Sequence, residues 1–534
     1  MTALEDASQL SQEIPIASHI KGWRLHLLTT ALCFTVFLVN IEVSIVAVSL
    51  IAIVDGLGGL RESSWVVTGY LVTYTCFIVI WAKLSDVFGR KGSMITTLLV
   101  FVVFSGGCGA SETMVQLIVC RIFQGVGAAG CYTLAVTLIF EMVPKAKFAS
   151  YASLMSACMA SASVLGPILG GLINDHSTWR WIFLLNLPPG AIAIILQFIT
   201  IPSGFPHHGD PHGGHPRQAS LLSKQTLRRL DVPGALFMLG FLLFLVVVLL
   251  QAGPTFKWSS PATIAMLVLS LLLFCCFLGW EYLVSETARV FFKEPILPFR
   301  FLLNRPLMGI ILLSLMVGIP FNVVIVELPI RLQATNSMSP LAAASRILPY
   351  TILTPIGSLL SNGIASKKKL PPLYLLLLGS VMQVLGLALM TTIPSTGSIP
   401  IAQYIFEAIA GCGVGFTFGL LVTLIPFVVE QRDLATGVTM QFRMLGGVVG
   451  LGTASAVMSS YLTSQLKYVL SANDMSSVFH SPAMINRLSH ASQMATRAVF
   501  ASSYALQIKI VAGLTGAQFI GLALMWKKEQ LQIL

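Results

Sequence analysis

Charge is scarce in this sequence. Only 10% of its 534 residues are Asp, Glu, Lys or Arg, against about 25% in a soluble domain. Hydrophobic residues make up 55%, and the mean hydropathy is +0.84. No long stretch is polar enough to be water-borne, which excludes a soluble protein and equally a soluble domain on a single anchor. The nine cysteines (33, 76, 108, 120, 131, 158, 275, 276 and 412) all fall in apolar runs, so no disulfide framework is expected. The first twenty residues lack the basic start and apolar core of a cleaved leader, and the first spanning helix is expected to target the chain. No GxxxxGK[ST] run cradles a phosphate, which argues against ATP-driven work. No Asn-x-Ser/Thr sequon lies in a predicted outer loop, so N-glycosylation is not expected.

What is present is a series of long apolar runs. A hydrocarbon core about 30 Å thick needs about 20 apolar residues per helix. Fourteen runs meet that need: roughly 26–54, 64–82, 93–111, 113–142, 148–174, 180–202, 232–252, 261–283, 306–332, 340–365, 371–393, 399–429, 434–463 and 504–526. They are continuous rather than apolar at every second residue, which excludes a membrane barrel and predicts an all-α polytopic fold. With a cytosolic N-terminus, 21 of the 32 Lys and Arg fall on the cytosolic side, eight outside and three within spans. The asymmetry predicts that both termini are cytosolic, and it makes the net charge of +11 a topological label rather than a sign of nucleic-acid binding. The predicted order is a tail (1–25), a six-helix bundle (26–202), a flexible cytosolic linker (203–231), two additional helices with a loop (232–305), a second six-helix bundle (306–526) and a tail (527–534). His207, His208, His212 and His215 crowd the linker; without cysteines or an ordered scaffold they read as solvated, and no metal site is expected.

After the second span the chain reads Ala82-Lys83-Leu84-Ser85-Asp86-Val87-Phe88-Gly89-Arg90-Lys91. An acid at a helix end, a glycine for a tight turn and two cations form a charge clamp able to hold neighbouring helices in one arrangement. Gly357, Gly363 and Lys367-Lys368-Lys369 give a weaker echo after span 10, without the acid. This loop resembles the signature of the major facilitator superfamily, with Ala82 where Gly is usual. The resemblance narrows to the fourteen-helix drug:H⁺ antiporter group of fungal efflux pumps through Trp65–Leu71, Arg121-Ile122-Phe123-Gln124-Gly125-Val126-Gly127, Gly166-Pro167-Ile168-Leu169-Gly170-Gly171, and Trp179–Phe183 with Asn186-Leu187-Pro188. It implies a 6+2+6 arrangement with a central cavity served by alternating access, the halves being parallel repeats about an axis along the membrane normal. The Gly166-Pro167 run implies antiport, hence export, and the family resemblance implies no enzyme activity or cofactor.

Ionisable groups inside spans are costly and therefore functional candidates. Glu42 lies fifteen residues past Leu27, about 22 Å from the cytosolic end, and Arg121 enters from the other side to about 13 Å, so the two can meet. Burial favours the neutral acid and an adjacent guanidinium the carboxylate, which together suit a proton carrier. In the family the helix-4 Arg is the partner in proton coupling. Glu407, at similar depth in the pseudo-equivalent helix, joins Glu42 and Arg121 as a proton-coupling candidate. Asp86, Gly89, Arg90, Lys91, Gly166, Pro167, Gly170, Gly171 and Arg443 are candidates for gating or packing. Asn40, Tyr70, Tyr74, Gln124, Asn322, Arg346 and Gln441 are candidates for contact with substrate, or else satisfy neighbouring helices. Glu327 and Arg331, at i,i+4, are expected to neutralise each other. The expected function is proton-coupled export of a lipophilic drug or secondary-metabolite toxin across the plasma membrane by a monomer. Uptake of a chelated-iron compound or other small solute, or a non-transporting sensor, are the competing readings.

Overall fold

The computed structural model describes residues 20–528 except 21, 59–61, 145–146, 203–204, 206–230, 253–255, 292–294, 298–299, 369, 394–398, 429–434, 472–473, 476–477 and 479–481. The four linker histidines, most of the N-terminal tail and residues 529–534 lie outside the described residues. Among the described residues the chain is helical and forms no strand beyond a single bridge, Ala252 to Phe256.

The long helices are α1 (Trp23–Leu57), α2 (Ser63–Phe88), α3 (Arg90–Ala110), α4 (Met114–Met142), α5 (Phe148–His176) and α6 (Leu187–Thr200), the last preceded by one turn at Trp181–Leu184. Then come α7 (Val232–Gln251), α8 (Pro261–Phe291), α9 (Arg305–Asn336), α10 (Leu348–Lys368), α11 (Pro372–Met390), α12 (Ile401–Val428), α13 (Ala435–Leu466) and α14 (His490–Gly516), which continues past Ala517 as Gln518–Met525. Local chemistry sets several of the starts. Thr113 and Gln116 close a capping box on α4, while Asn304 caps α9 and Asp231 caps α7, each followed by a proline in the first turn.

Thirteen helices among the described residues are long and apolar enough to cross a membrane, so the expected count of fourteen is not reached by that measure. The shortfall is the run 340–365. It forms a short helix, Pro340–Ser345, a break at Arg346 and Ile347, and then α10. The break has a physical cause, since Pro349 has no N–H to offer the carbonyl four residues back. The low apolarity of α10 has one too. Thr351, Thr354, Ser358, Ser361 and Asn362 are all buried, so the polar residues of this helix face protein neighbours, while Ile352, Ile356, Leu359 and Leu360 are exposed.

Helix pairing repeats along the chain. In the first half α1 packs on α4, α5 and α6, α4 on α2 and α3, and α3 on α6. Adding eight to each number gives the pairs of the second half: α9 with α12, α13 and α14, α12 with α10 and α11, and α11 with α14. The halves meet through α5 on α10 and α2 on α13, which exchange under the same shift. The pair α7–α8 leans on α2 and α13.

Small residues permit these approaches where lipid offers no hydrophobic drive. A side chain at Gly166 would collide with Ser44 on α1, and one at Gly170 would meet the Ile45 carbonyl at 3.1 Å. On α12, Gly411, Gly415 and Gly419 lie against Tyr350, Thr354 and Ser358 of α10, the first two contacts being with backbone. In α13, Gly446 and Gly447 lie against α9. Gly171 and Gly363 have nothing within 4 Å. Replacing Gly415 with Val is therefore expected to destabilise the protein by about 1–3 kcal/mol or more through overpacking, read as a lower melting temperature of the purified protein, whereas Gly363→Ala should leave it nearly unchanged.

Candidate functional site

Three stretches of sequence far apart in the chain bring polar side chains to one dry point in the first half. Glu42 on α1 and Arg121 on α4 are both fully buried and form an ion pair, Arg121 Nη1 to Glu42 Oε1, of 2.7 Å. Gln124, one turn on from Arg121, donates to the same oxygen at 3.0 Å and accepts from Arg121 at 2.8 Å. Asn186 donates to Glu42 Oε2 at 2.6 Å and to Ser105 Oγ at 3.0 Å. The guanidinium also gives its Nε–H to the Val66 carbonyl at 3.1 Å and lies over the Tyr70 ring at 4.2 Å. Every carboxylate oxygen thus has a partner, which is what allows a charge to exist there at all.

Asn186 and Ser105 were not among the candidates. Asn186 stands at the break that starts α6, between Leu185 and Leu187, and an isolated amide between two leucines at a helix start is the signal that could have marked it. Ser105 sits on α3, one hydrogen bond further out, and carries no signal of its own.

The clamp is built on the turn at Gly89, whose φ of 93° suits glycine. Arg90 pairs with Asp86 and, at 2.7 Å, with Glu141 at the end of α4, so α2, α3 and α4 are tied at one face. Glu141 supplies the third charge of the clamp and lies outside the loop that the motif covers. Lys91 takes no part in these pairs; its Nζ lies 4.7 Å from the Phe198 ring of α6.

The centre of the molecule is aromatic. From the Tyr70 ring beneath Arg121, a stacked contact of 5.7 Å leads to Tyr74, and an edge contact of 6.1 Å leads on to Tyr132. The Tyr132 hydroxyl accepts a hydrogen bond from Arg443 on α13. The Tyr74 hydroxyl is buried without a partner, as is Gln441 Oε1. Two small cavities adjoin Arg443, one bounded by Val317, Phe418 and Met440, the other by Met159, Phe321 and Val414. Each holds about 10 Å³ open to the centre of a water molecule, on the order of one water, so this conformation is closed around its core. Ser153 Oγ and Ser358 Oγ, 3.3 Å apart, and the contact of Gly437 with Ala82 join the halves elsewhere along the same seam.

The remaining candidates take their hydrogen bonds elsewhere. Asn40 and Asn322 each donate to a carbonyl of their own helix, Val36 and Gly318. Arg346, read as lying within a span, is exposed at the break before α10 and bonds the Tyr404 hydroxyl. Glu407 is buried, accepts from Gln403 at 2.8 Å, and leaves Oε2 without a partner. It stands seven residues, or about 10 Å, along α12 from Val414, and neither cavity is lined by it. Its electrostatic neighbour is Arg331. Glu327 and Arg331 form no ion pair with each other: the pairs within 4 Å among the described residues involve Arg90 and Arg121. Arg331 instead lies over the Tyr504 ring at 4.9 Å and reaches the Ile393 carbonyl.

Similar proteins carry names that fit this architecture. The Major Facilitator Superfamily model matches residues 32–293. The MFS-type transporter FPY5 of Fusarium mangiferae is 39% identical over 510 residues, 95% of this chain and 84% of its own. The efflux pump aflT of Aspergillus parasiticus is 28% identical, covering 84% of each chain, and the rubrofusarin-specific efflux pump aurT of Gibberella zeae is 28% identical over 83% of this chain and 78% of its own. Among solved structures, a bacterial homologue of the human lysosomal transporter Spinster, inward-facing and unoccupied, superposes with a TM-score of 0.58 at 14% identity, covering 96% of this chain and all of that one. That likeness concerns the fold.

Removing one member of a buried pair strands the other at a cost of about 3–5 kcal/mol, while removing both is far milder. Glu42→Leu is therefore expected to lower thermal stability more than the double replacement Glu42→Leu with Arg121→Leu, a non-additivity that a double-mutant cycle on the purified protein measures.

Proposed function

Because the chain belongs to the major facilitator superfamily, whose members here are transporters rather than enzymes, we propose that it is a proton-coupled antiporter exporting a lipophilic small molecule such as a drug or secondary-metabolite toxin. The observation that carries this reading is the sealed Glu42–Arg121 pair, an acid in the dry interior with every oxygen bonded. Export as the direction is supported by the efflux pumps among the relatives and by the Gly166-Pro167 run in α5.

The proposed cycle follows from the chemistry of that pair. In the closed arrangement Glu42 is held as a carboxylate by Arg121, Gln124 and Asn186, and no water reaches it to deliver or remove a proton. When the seam opens on the proton-rich side, water enters, Glu42 is protonated, and its hold on Arg121 weakens. The freed guanidinium drags on Tyr70 beneath it, and through the stacked rings the change reaches the centre between the halves. Reopening on the other side lets the proton leave and the pair re-form. Each tenfold proton gradient supplies about 1.4 kcal/mol per proton, enough to bias an equilibrium between two arrangements of similar energy. The clamp of Asp86, Arg90 and Glu141 stabilises one of those arrangements at the face where it lies.

The same proposal includes bundles at 26–202 and 306–526 flanking two additional helices within 232–305, a reading that the repeating helix pairs support. It also includes the plasma membrane as location, cytosolic termini, supported by the Lys and Arg asymmetry, and a monomer as the working unit. Everted membrane vesicles test it. A proton gradient should drive accumulation of an aromatic dye such as fluorescein, and Glu42→Gln should reduce the rate at least tenfold. Unchanged gradient-driven transport by Glu42→Gln would remove Glu42 from the mechanism, and gradient-insensitive flux in the wild type would make the protein a facilitator.

A further inference from the structure

Arg443 is a buried charge that the proposed proton coupling leaves without a task. It is buried at 4% exposure on α13. One nitrogen donates to the Tyr132 hydroxyl, and Nε has no hydrogen-bond partner. No carboxylate among the described residues comes within 4 Å of it, since the ion pairs there belong to Arg90 and Arg121. Its guanidinium is wrapped by ring faces instead, Phe418 at 4.8 Å, Tyr132 at 5.5 Å and Phe321 at 5.9 Å, and it forms a wall of both central cavities.

A guanidinium taken out of water requires a counter-charge, and ring faces meet that need only in part. In the first half Glu42 meets it for Arg121; at the centre no acid does so for Arg443. We propose that the transported solute supplies the missing anion: the site around Arg443 takes a planar conjugated acid, its carboxylate or phenolate on the guanidinium and its ring system between Phe321 and Phe418. The planar fork of Arg suits a two-oxygen anion, and Met159 and Met440 supply the deformable walls that admit ring systems of different shape. This assignment rests on the export reading for its biological use and names the solute class of that site. With space for about one water in each cavity, binding belongs to an opened arrangement, and the arriving acid offsets the cost of exposing and re-burying Arg443.

Binding of tritiated 2-naphthoate to the purified full chain, with 2-naphthamide as its uncharged counterpart, tests the assignment. In the wild type the acid should bind at least tenfold more tightly than the amide. Arg443→Gln should bring the ratio near one, and Arg443→Lys should keep part of the preference. Phe418→Glu gives Arg443 an internal carboxylate, so it removes the acid preference without stranding a charge and serves where Arg443→Gln fails to fold. No saturable naphthoate binding, equal affinity for acid and amide in the wild type, or an acid preference that survives both Arg443→Gln and Phe418→Glu would overturn the proposal. Vesicle flux separates it from the reading it rests on: acid-selective binding without proton-driven export overturns antiport and leaves the anion site standing, and proton-driven export without acid preference does the reverse.

Discussion

An ion pair buried from solvent is the constraint on which the first half is organised. A carboxylate and a guanidinium can stay charged at the centre of a helix bundle only if their spare hydrogen-bonding capacity is used up. That requirement recruits Gln124 from the same helix as Arg121, Asn186 from the break before α6, Ser105 from α3 and the Val66 carbonyl from α2. Five of the six helices of this half are thus bound to one carboxylate or to its partners. The stripe of Ala162, Gly166 and Gly170 brings α5 flat against α1, completing the set. Glycine packing and polar satisfaction are two parts of one arrangement: the first sets the distance at which the helices lie, the second fixes their rotation.

The second half keeps the helix pairing and changes the chemistry. Equivalent helices make equivalent contacts under a shift of eight, yet nothing like Glu42–Arg121 occurs at their core among the described residues. The acid of α12, Glu407, has moved about two turns along the helix from the cavity walls and lies within reach of Arg331. The cation of α13, Arg443, lies at the seam between the halves and not inside one of them. A closed pair in one repeat and an open cation in the other is a division of labour: one repeat holds a charge whose partner is built in, the other a charge whose partner is absent.

Much of this was legible in the sequence because lipid leaves few ways to build a span. Run length and continuity give helices directly, and the rise per residue put Glu42 and Arg121 at matching depth. The break at Arg346 was harder, since the apolar run 340–365 reads through Pro349 and only the missing N–H at that proline separates the short helix from α10. Glu327 and Arg331 illustrate a different limit. Spacing of i,i+4 makes two side chains neighbours on one helix face, but Arg331 turns instead to the Tyr504 ring and a carbonyl beyond α11, partners that no local spacing contains. Asn186, Ser105 and Glu141 were missed for the same reason, as each acquires its role from a helix distant in sequence.

The chain of rings between Arg121 and Arg443 bears on how the two charges communicate. Tyr70 lies against one guanidinium, Tyr132 bonds the other, and Tyr74 bridges them with a hydroxyl that nothing satisfies. Rings packed at native density are bistable rather than compressible, so a shift of Tyr70 when Arg121 is released must be taken up by Tyr74, whose unpaired hydroxyl costs least when it moves toward a partner or toward water. The closed form is therefore held with buried polar groups in deficit at its centre, the Tyr74 hydroxyl among them. An arrangement that admits water or an anionic solute beside Arg443 relieves that deficit and the partly compensated charge together. In the proposed cycle the first half loses satisfied hydrogen bonds on opening while the centre gains them, and these opposed changes narrow the energy difference between the two arrangements.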